Sequence, residues 1–315
     1  MIDPYGRNIE YMRISVTERC NYRCVYCMGP EGVSGRKHAE ELSFAQIAEI
    51  AAAAARCGMT KLRLTGGEPL MRQGIAALCG MLRAIPGIRE LTMTTNGSLL
   101  RELAQPLKEA GLDRLNVSLD SLDPGRFREI TRCGRLEEVL EGLEAASRAG
   151  FTGTKLDTVL LGGVNTDEIA ALAELTRAQP ISVRFIELMP MGVCAGFPGE
   201  RFVPADLVLE ALPELEPLGR EGVAECFRLP GARGTVGLIR ALSHSFCESC
   251  NRIRLTADGM LKPCLHAAAE IPVRDLHGEA LLQAVARAVA AKPPCHGLTE
   301  RGVSETPRNM NEIGG

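Results

Sequence analysis

The segment YMRISVTERCNYRCVYC, residues 11–27, joins a β-prone run directly to three closely spaced cysteines. Its first part, YMRISV, has the apolar alternation of a short strand. Its second part carries Cys20, Cys24 and Cys27 in a C-x3-C-x2-C spacing. Parallel α/β barrels place their chemistry on the loops that follow their strands. The segment therefore predicts an active-site loop at the end of a first barrel strand.

Further β-prone runs alternate with helical patterns along the chain. They are KLRLT from Lys61, ELTMTTNG from Glu90, RLNVSL from Arg114, TKLDTVLL from Thr154 and SVRFIEL from Ser182. With the first run they make six β/α units, which predict an α/β fold of the partial (β/α)6 TIM-barrel type. Since eight units close a full barrel, we expect a sheet that is open on one side.

Local signals punctuate the helices. Ser43 and Gln46 form a possible capping box for the first helix, and Gly58 stands where a helix-terminating glycine belongs. Other helices are predicted near residues 136–148 and 167–178. The alternation is lost after about Pro204, so we predict a barrel over residues 1–204. Residues 205–315 are predicted to cover its open side.

Composition excludes several classes of protein. The 315 residues carry a formal net charge of −3, which gives no general field for nucleic acid. The beginning of the sequence lacks an apolar leader and no long apolar run follows, so we expect a cytoplasmic protein without membrane contact. Twelve cysteines are too sparse for a disulfide scaffold, and a reducing compartment favours metal or redox roles for the clustered ones.

The first cysteine group contains three thiols, and this number indicates what the group can bind. A 4Fe-4S cluster normally takes four cysteines, so a three-cysteine site leaves one iron open to a substrate or cofactor. Structural zinc would require a fourth ligand nearby. Zinc binding and thiol redox chemistry remain as the alternatives.

A second group, Cys247, Cys250 and Cys264, again supplies three thiols. A four-cysteine zinc site that includes Cys295 is its alternative, although Cys295 has no paired spacing. The single cysteines are interpreted as small buried hydrophobes or inert surface thiols: Cys57, Cys79, Cys133, Cys194, Cys226 and Cys295.

Cations recur at alternate strand positions. Lys61 and Arg63 share one face of the second strand, because residues two apart point the same way. The same pattern is found at Arg13, at Lys155, and at Arg252 with Arg254. Solvated or helix-paired charges are one interpretation. The other is an inward cluster that binds an anion such as a triphosphate, whose oxygens arginine can bind bidentately.

Together these motifs resemble the radical S-adenosylmethionine enzymes and, within them, the GTP 3′,8-cyclase family of molybdenum-cofactor biosynthesis. The resemblance extends from Gly6 to the end of the chain and rests on a joint pattern. Its parts are RISVTERCNYRCVYCM, KLRLTGGEPL, TTNG, NVSLDSLD, VRFIELMPMG, FCESCNRIRLTADGMLKPCL and the terminal IGG.

The resemblance implies two 4Fe-4S clusters, S-adenosylmethionine as cofactor and GTP as substrate. The first cysteine group would hold the cluster that cleaves S-adenosylmethionine, and the second would bind the guanine base. The implied cofactor contacts are Tyr26, Gly67, Glu68, Ser118 and Met189. The implied GTP contacts are Arg13, Lys61, Arg63, Thr94, Lys155, Arg252 and Arg254, with Arg184 as a weaker candidate. Arg13, Gly314 and Gly315 are the implied catalytic residues.

The resemblance also implies partners and leaves rivals. It implies a flavodoxin- or ferredoxin-type electron donor, a downstream pyranopterin-forming synthase and a homodimer. A peptide-maturing radical enzyme with an auxiliary cluster is the nearest rival, and a non-catalytic iron-sulfur carrier is a rival from another class. Arg252 and Arg254 in the CNRIR segment, together with the IGG end, argue against a peptide-maturing enzyme. A non-catalytic iron-sulfur carrier would have no use for the GGEP turn.

Overall fold

Six parallel strands form the centre of the fold in the computed structural model, which describes residues 1–32, 41–298 and 302–314. The strands pair in sequence order, each parallel to the next. They are β1 (Tyr11–Ser15), β2 (Lys61–Thr65), β3 (Glu90–Thr95), β4 (Arg114–Ser118), β5 (Lys155–Leu160) and β6 (Ser182–Glu187). All six predicted strands and the α/β class are therefore confirmed.

Helices connect these strands. They are α1 (Phe44–Arg56), α2 (Ile75–Arg83), α3 (Leu100–Glu109), α4 (Pro124–Thr131), α5 (Leu136–Arg148) and α6 (Ile169–Ala178). The predicted capping box is present, because the Ser43 hydroxyl accepts from the Gln46 backbone while the Gln46 side chain accepts from Ser43. Gly58 follows α1 with a φ of +92°, a conformation that favours glycine.

The C-terminal region extends the sheet at both edges. It contains α7 (Leu207–Ala211), β7 (Glu216–Glu221), β8 (Ala224–Arg228), β9 (Thr235–Ile239), β10 (Arg252–Leu255), β11 (Met260–Lys262), β12 (Ile271–Pro272), α8 (Gly278–Ala290) and α9 (Met310–Ile313). Strand β9 pairs in parallel with β6, and β10 pairs in parallel with β1. The region therefore continues the hydrogen-bonded sheet, which the sequence did not predict. The division at residue 204 stays a prediction.

The two faces of each central strand differ in chemistry. Leu62 and Leu64 of β2 are fully buried in the main apolar core, and Ile253 and Leu255 of β10 repeat this pattern. The alternate position, Arg63, belongs to the opposite face. The helix-covered face is thus apolar, and the other face is free to carry polar groups. Among the described residues, no helix has both the length and the apolar character required to cross a membrane.

Candidate active site

The opposite face encloses a cavity of about 310 Å³. Both cysteine groups line it, although they come from opposite ends of the sequence. The cysteines along its wall, within the part of the chain that the structure describes, are Cys20, Cys24, Cys27, Cys247, Cys250 and Cys264. Cys295 is exposed and lies outside this lining, and so do the other single cysteines. The fold therefore brings together six thiols that sequence spacing had assigned to two separate sites.

Three arginines lie side by side in the wall of this cavity. The strand register places Arg13 of β1 directly between Arg254 of β10 and Arg63 of β2. Burial and the neighbouring charge of Arg254 hold the pKa of Arg13 well below its ordinary value. Arg252 lines the same wall two residues before Arg254. A row of like charges in a buried cavity is stabilised by anions, so this wall suits a polyphosphate.

The GGEP turn packs against the loop that carries the first cysteines. A Cβ on Gly66 would lie 2.4 Å from the Thr17 carbonyl oxygen, and one on Gly67 would lie 2.3 Å from that of Arg19. Real Cβ atoms do not approach backbone that closely, so both positions require glycine. Both glycines also line the cavity. The absence of side chains at Gly66 and Gly67 therefore allows the turn after β2 to pack directly against the cysteine loop. This structural role is separate from any contact with a ligand.

Glu68 lies behind the cavity wall. Its carboxylate accepts hydrogen bonds from the Leu70 backbone (2.9 Å), the Thr95 hydroxyl (2.7 Å) and the Asn96 backbone (2.7 Å). Burial raises the pKa of Glu68 to about 7, although these hydrogen bonds oppose the shift. Glu68 is not among the residues that line the cavity, so the structure gives it a role in joining β2 to β3. Its contact with the cofactor stays a prediction.

The two cysteine groups have opposite electrostatic surroundings. Burial raises the pKa of the Cys20 thiol to about 11 and that of Cys27 to about 12. Burial alone would also raise the pKa of Cys250, but the charges of Arg252 and Lys292 lower it to about 6. The second group therefore lies in a strongly basic environment, whereas the first does not.

Sequence reasoning missed several cavity residues. Lys292 and His296 follow α8 and line the cavity. Lys292 Nζ lies 3.3 Å from the Cys250 sulfur. His296 hydrogen-bonds the Ala241 carbonyl at 3.1 Å, and its proximity helps to lower the pKa of the Cys247 thiol against the effect of burial. Asp120 accepts from the Tyr26 hydroxyl at 2.6 Å. The NVSLDSLD motif contained Asp120, so that signal was available. Lys292 and His296 stand in no motif and gave no signal.

The other predicted cofactor contacts, Tyr26, Gly67, Ser118 and Met189, all line the cavity. The Tyr26 hydroxyl is fixed by Asp120, which also accepts from the Val159 backbone at 2.8 Å. The pKa of Asp120 is raised by burial to about 6. Asp120, which follows β4, thus connects Tyr26 to the backbone of β5.

The predicted GTP contacts divide into two groups. Those that line the cavity are Arg13, Arg63, Thr94, Arg184, Arg252 and Arg254. Lys61 and Lys155 do not line it. Lys61 Nζ lies 3.8 Å from a carboxylate oxygen of Glu90, and 43% of the Lys61 side chain is exposed. Lys155 is buried, and its ammonium donates to the Glu221 carboxylate. Both lie at the first residue of their strands, and their contact with GTP stays a prediction.

The C-terminal tail is folded into the site as far as the structure describes it. The Gly314 carbonyl accepts from Arg254, and Asn311 donates to the Glu18 carbonyl at 3.2 Å. Gly314 has a φ of +83°, and a Cβ there would lie 2.0 Å from the Thr65 hydroxyl. The tail is therefore ordered against the site as far as Gly314. The prediction for Gly315 lies outside the described residues.

Comparison with known proteins decides the family. A family described as Radical SAM superfamily matches residues 14–176, and one described as Molybdenum Cofactor Synthesis C matches residues 181–298. GTP 3′,8-cyclase of Alkaliphilus oremlandii is 46% identical over 320 residues, with both chains fully covered. That of Peptoclostridium acidaminophilum is 47% identical over 323 residues, covering all of this chain and 98% of the relative. The chain belongs to the GTP 3′,8-cyclase family. The predicted resemblance is confirmed.

Solved structures agree on the fold of this family member. Streptococcus suis SuiB bound to S-adenosylmethionine superposes with a TM-score of 0.62 at 14% identity, covering 97% of this chain and 77% of SuiB. Native anSMEcpe with bound AdoMet gives a TM-score of 0.59 at 14% identity, covering 87% and 80%. At these identities the likeness shows the fold alone.

The donor chemistry of the site fits two clusters with three cysteines each. Within the described ranges, no three His, Cys, Asp or Glu side chains are arranged to hold a single metal ion. Each cysteine group instead presents three thiols to a shared cavity. Three thiols per group is the number that leaves one iron of a 4Fe-4S cluster open.

Proposed function

We propose that this protein converts GTP to 3′,8-cyclo-7,8-dihydro-GTP, the first step of molybdenum-cofactor biosynthesis, as a radical S-adenosylmethionine lyase. One observation carries the proposal: both three-cysteine groups line a single cavity, and a row of three arginines lies in the same wall. The names of the relatives support it independently.

Cys20, Cys24 and Cys27 would hold one 4Fe-4S cluster, and Cys247, Cys250 and Cys264 the other. When bound, the first cluster would supply the electron that cleaves S-adenosylmethionine to methionine and a 5′-deoxyadenosyl radical. That radical would take hydrogen from C3′ of GTP, and the C3′ radical would form a bond to C8. One further electron, from the flavodoxin- or ferredoxin-type donor, and a proton would complete the 7,8-dihydro product. The open iron of the second would take the guanine base.

The protein's own residues would hold the two small molecules. Tyr26, Gly67, Ser118 and Met189 form the proposed S-adenosylmethionine side, and Glu68 supports it through its hydrogen bonds to β3. Guanidinium groups would bind the triphosphate on the opposite side, supplied by Arg13, Arg63, Arg252 and Arg254, with Thr94 beside Arg63. Their fixed strand positions provide charge without reorganisation when the nucleotide binds.

Arg254 links the nucleotide wall to the tail. Its guanidinium donates to the Gly314 carbonyl, which places the end of α9 against the same arginine that would bind phosphate. We assign Gly314 and Gly315 the role of orienting GTP, because small errors in orientation cost large factors in rate. Arg13 lies next to Arg254 in register and would share this role.

The wider assignments follow from the family resemblance. We propose a cytoplasmic homodimer that receives electrons from a flavodoxin- or ferredoxin-type donor. Its product would pass to a pyranopterin-forming synthase.

The test is an anaerobic incubation of the reconstituted protein with S-adenosylmethionine, a reductant and GTP. Mass spectrometry should detect 5′-deoxyadenosine and the cyclised nucleotide. Replacing Cys20, Cys24 and Cys27 by Ala should halve the iron and abolish both products. Replacing Cys247, Cys250 and Cys264 should halve the iron and weaken GTP binding. An iron-sulfur carrier would form neither product, and stoichiometric zinc in the anaerobic protein would refute the second cluster.

A further inference from the structure

A buried lysine contacts the second cysteine group from outside any recognised motif. Lys292 follows α8 and is 3% exposed. Its ammonium donates to the Cys250 sulfur at 3.3 Å, to the Arg252 carbonyl at 2.8 Å and to the Pro263 carbonyl at 3.1 Å. An ammonium has three N–H donors, so all three are used.

These three acceptors belong to different parts of the site. Cys250 is one cysteine of the second group, Arg252 is an arginine of the nucleotide wall, and Pro263 precedes Cys264. One ammonium therefore fixes the distances among two cysteines and the backbone of the proposed phosphate-binding strand. Two of its acceptors are neutral carbonyls, so the Cys250 sulfur is the one of the three that can carry negative charge. A buried ammonium is stable only beside such a counter-charge.

The segment that carries Lys292 is itself held in place. The buried Arg7 donates to the Cys247 carbonyl at 2.9 Å, to the Pro293 carbonyl at 2.6 Å and to the Pro294 carbonyl at 3.0 Å. The Asp3 carboxylate in turn accepts a hydrogen bond from Arg7 Nε at 2.6 Å. Arg7 thus holds both the segment that follows Lys292 and the segment that carries the second cysteine group, which fixes Lys292 beside Cys250.

We infer that Lys292 is a positioning residue that sets both the geometry and the reduction potential of the second cluster. The inference rests on the proposed function, because it requires a cluster on Cys247, Cys250 and Cys264. Hydrogen bonds to cluster sulfurs and nearby positive charge both favour the reduced, more negative state. Lys292 therefore raises the potential of this cluster. Its effect passes through Cys250, and it need not touch the nucleotide.

The test uses the full chain with Cys20, Cys24 and Cys27 replaced by Ala, so that the second cluster is the one studied. In this background we compare Lys292→Met, Lys292→Gln and Lys292→Arg by iron content and by potentiometric titration followed by electron paramagnetic resonance. Lys262→Met is the matched control, because Lys262 is also buried but donates to the Ala267 carbonyl, Glu270 and Thr306 instead of a sulfur.

We expect Lys292→Met to lower the potential, Lys292→Gln to lower it less because it keeps a donor, and Lys292→Arg to restore most of it. Lys262→Met should shift it least. Loss of iron from Lys292→Met but not from Lys262→Met would also support the inference, since the contact then proves necessary to place Cys250.

Equal iron and equal potential in Lys292→Met and the parent would overturn the inference and leave the proposed function standing. Equal shifts in Lys292→Met and Lys262→Met would overturn it too, because they would indicate general damage. A parent that loads no second cluster would overturn both.

Discussion

Arg184 Nη2 lies 3.0 Å from the Glu221 carboxylate, and Lys155 donates to the other oxygen of the same group. Glu221 ends β7, an edge strand, and 58% of its side chain is exposed. Two cations predicted for the triphosphate are therefore paired with a carboxylate from the C-terminal hairpin. Arg184 lines the cavity, so a phosphate group bound by Arg184 would compete with this carboxylate.

Removing that carboxylate should strengthen triphosphate binding. Because Glu221 is largely exposed and its ion pairs are screened, we expect Glu221→Gln to tighten GTP binding only about two- to fivefold. The gain should shrink as salt is raised. Titrations of GTP and guanosine would measure it. Glu216→Gln, an exposed position on the same strand, is the control. A gain for guanosine as large as that for GTP would contradict the competition.

Lys155 predicts a pH dependence of GTP affinity. Burial and the charge of Arg184 lower the pKa of Lys155 from 10.5 to about 8. The ammonium is charged below that pH and loses its proton as the pH rises through it, so its attraction for phosphate is present at pH 7 and lost by pH 9. Because Lys155 lies outside the cavity lining, its charge acts on the phosphate at a distance, and we expect GTP affinity to fall only about two- to threefold over this range.

Lys155→Arg is the control for this titration. An arginine stays charged throughout the range, so the variant should lose the pH dependence. Any titration of the nucleotide is common to both proteins and cancels in the comparison. Identical pH profiles for the two proteins would show that the charge of Lys155 does not act on the bound nucleotide.

Arg252 and Lys61 provide a direct test of which cations face the nucleotide. Arg252 lines the cavity, whereas Lys61 lies outside it beside Glu90. Losing a charge-assisted contact costs roughly 1.5 to 3 kcal/mol, so Arg252→Met should weaken GTP binding about 10- to 150-fold. Guanosine binding should change much less. Isothermal titration calorimetry would measure GTP binding by both variants. Lys61→Met should weaken it only slightly. An equal loss of GTP affinity in the two variants would show that Lys61 also binds the triphosphate.

Gly314→Ala should uncouple the radical from cyclisation. The new Cβ would overlap the Thr65 hydroxyl, and the positive φ of Gly314 disfavours any side chain. We expect iron content and GTP affinity to be nearly retained, while cyclised product per 5′-deoxyadenosine falls about 10- to 100-fold.

Gly302→Ala is the control that separates the backbone strain of a positive φ from the steric overlap of a new Cβ. Gly302 has a φ of +72°, but a Cβ there would meet nothing within 4 Å. This variant should therefore keep the parental ratio of product to 5′-deoxyadenosine. If Gly314→Ala also keeps that ratio and the parental rate, the tail has no role in orienting the substrate.

Local patterns made the fold class accessible from sequence. Strand alternation placed Arg63 and Leu62 on opposite faces of β2, and capping residues marked the start of α1 at Ser43. These features depend on neighbours a few positions away. The addition of β9 and β10 to the two sheet edges was not predicted, because each pairs with a strand far away in the chain.

The sequence by itself determined the six β/α units, the two cysteine groups and the family to which they belong. Only the tertiary structure decided that both groups line one cavity, that Arg13 lies between Arg254 and Arg63, and that Lys292 contacts Cys250. The physical reason is range. Spacing and periodicity are set by the local backbone, whereas strand register and the partner of a buried charge are set by long-range packing that must satisfy every buried polar group at once.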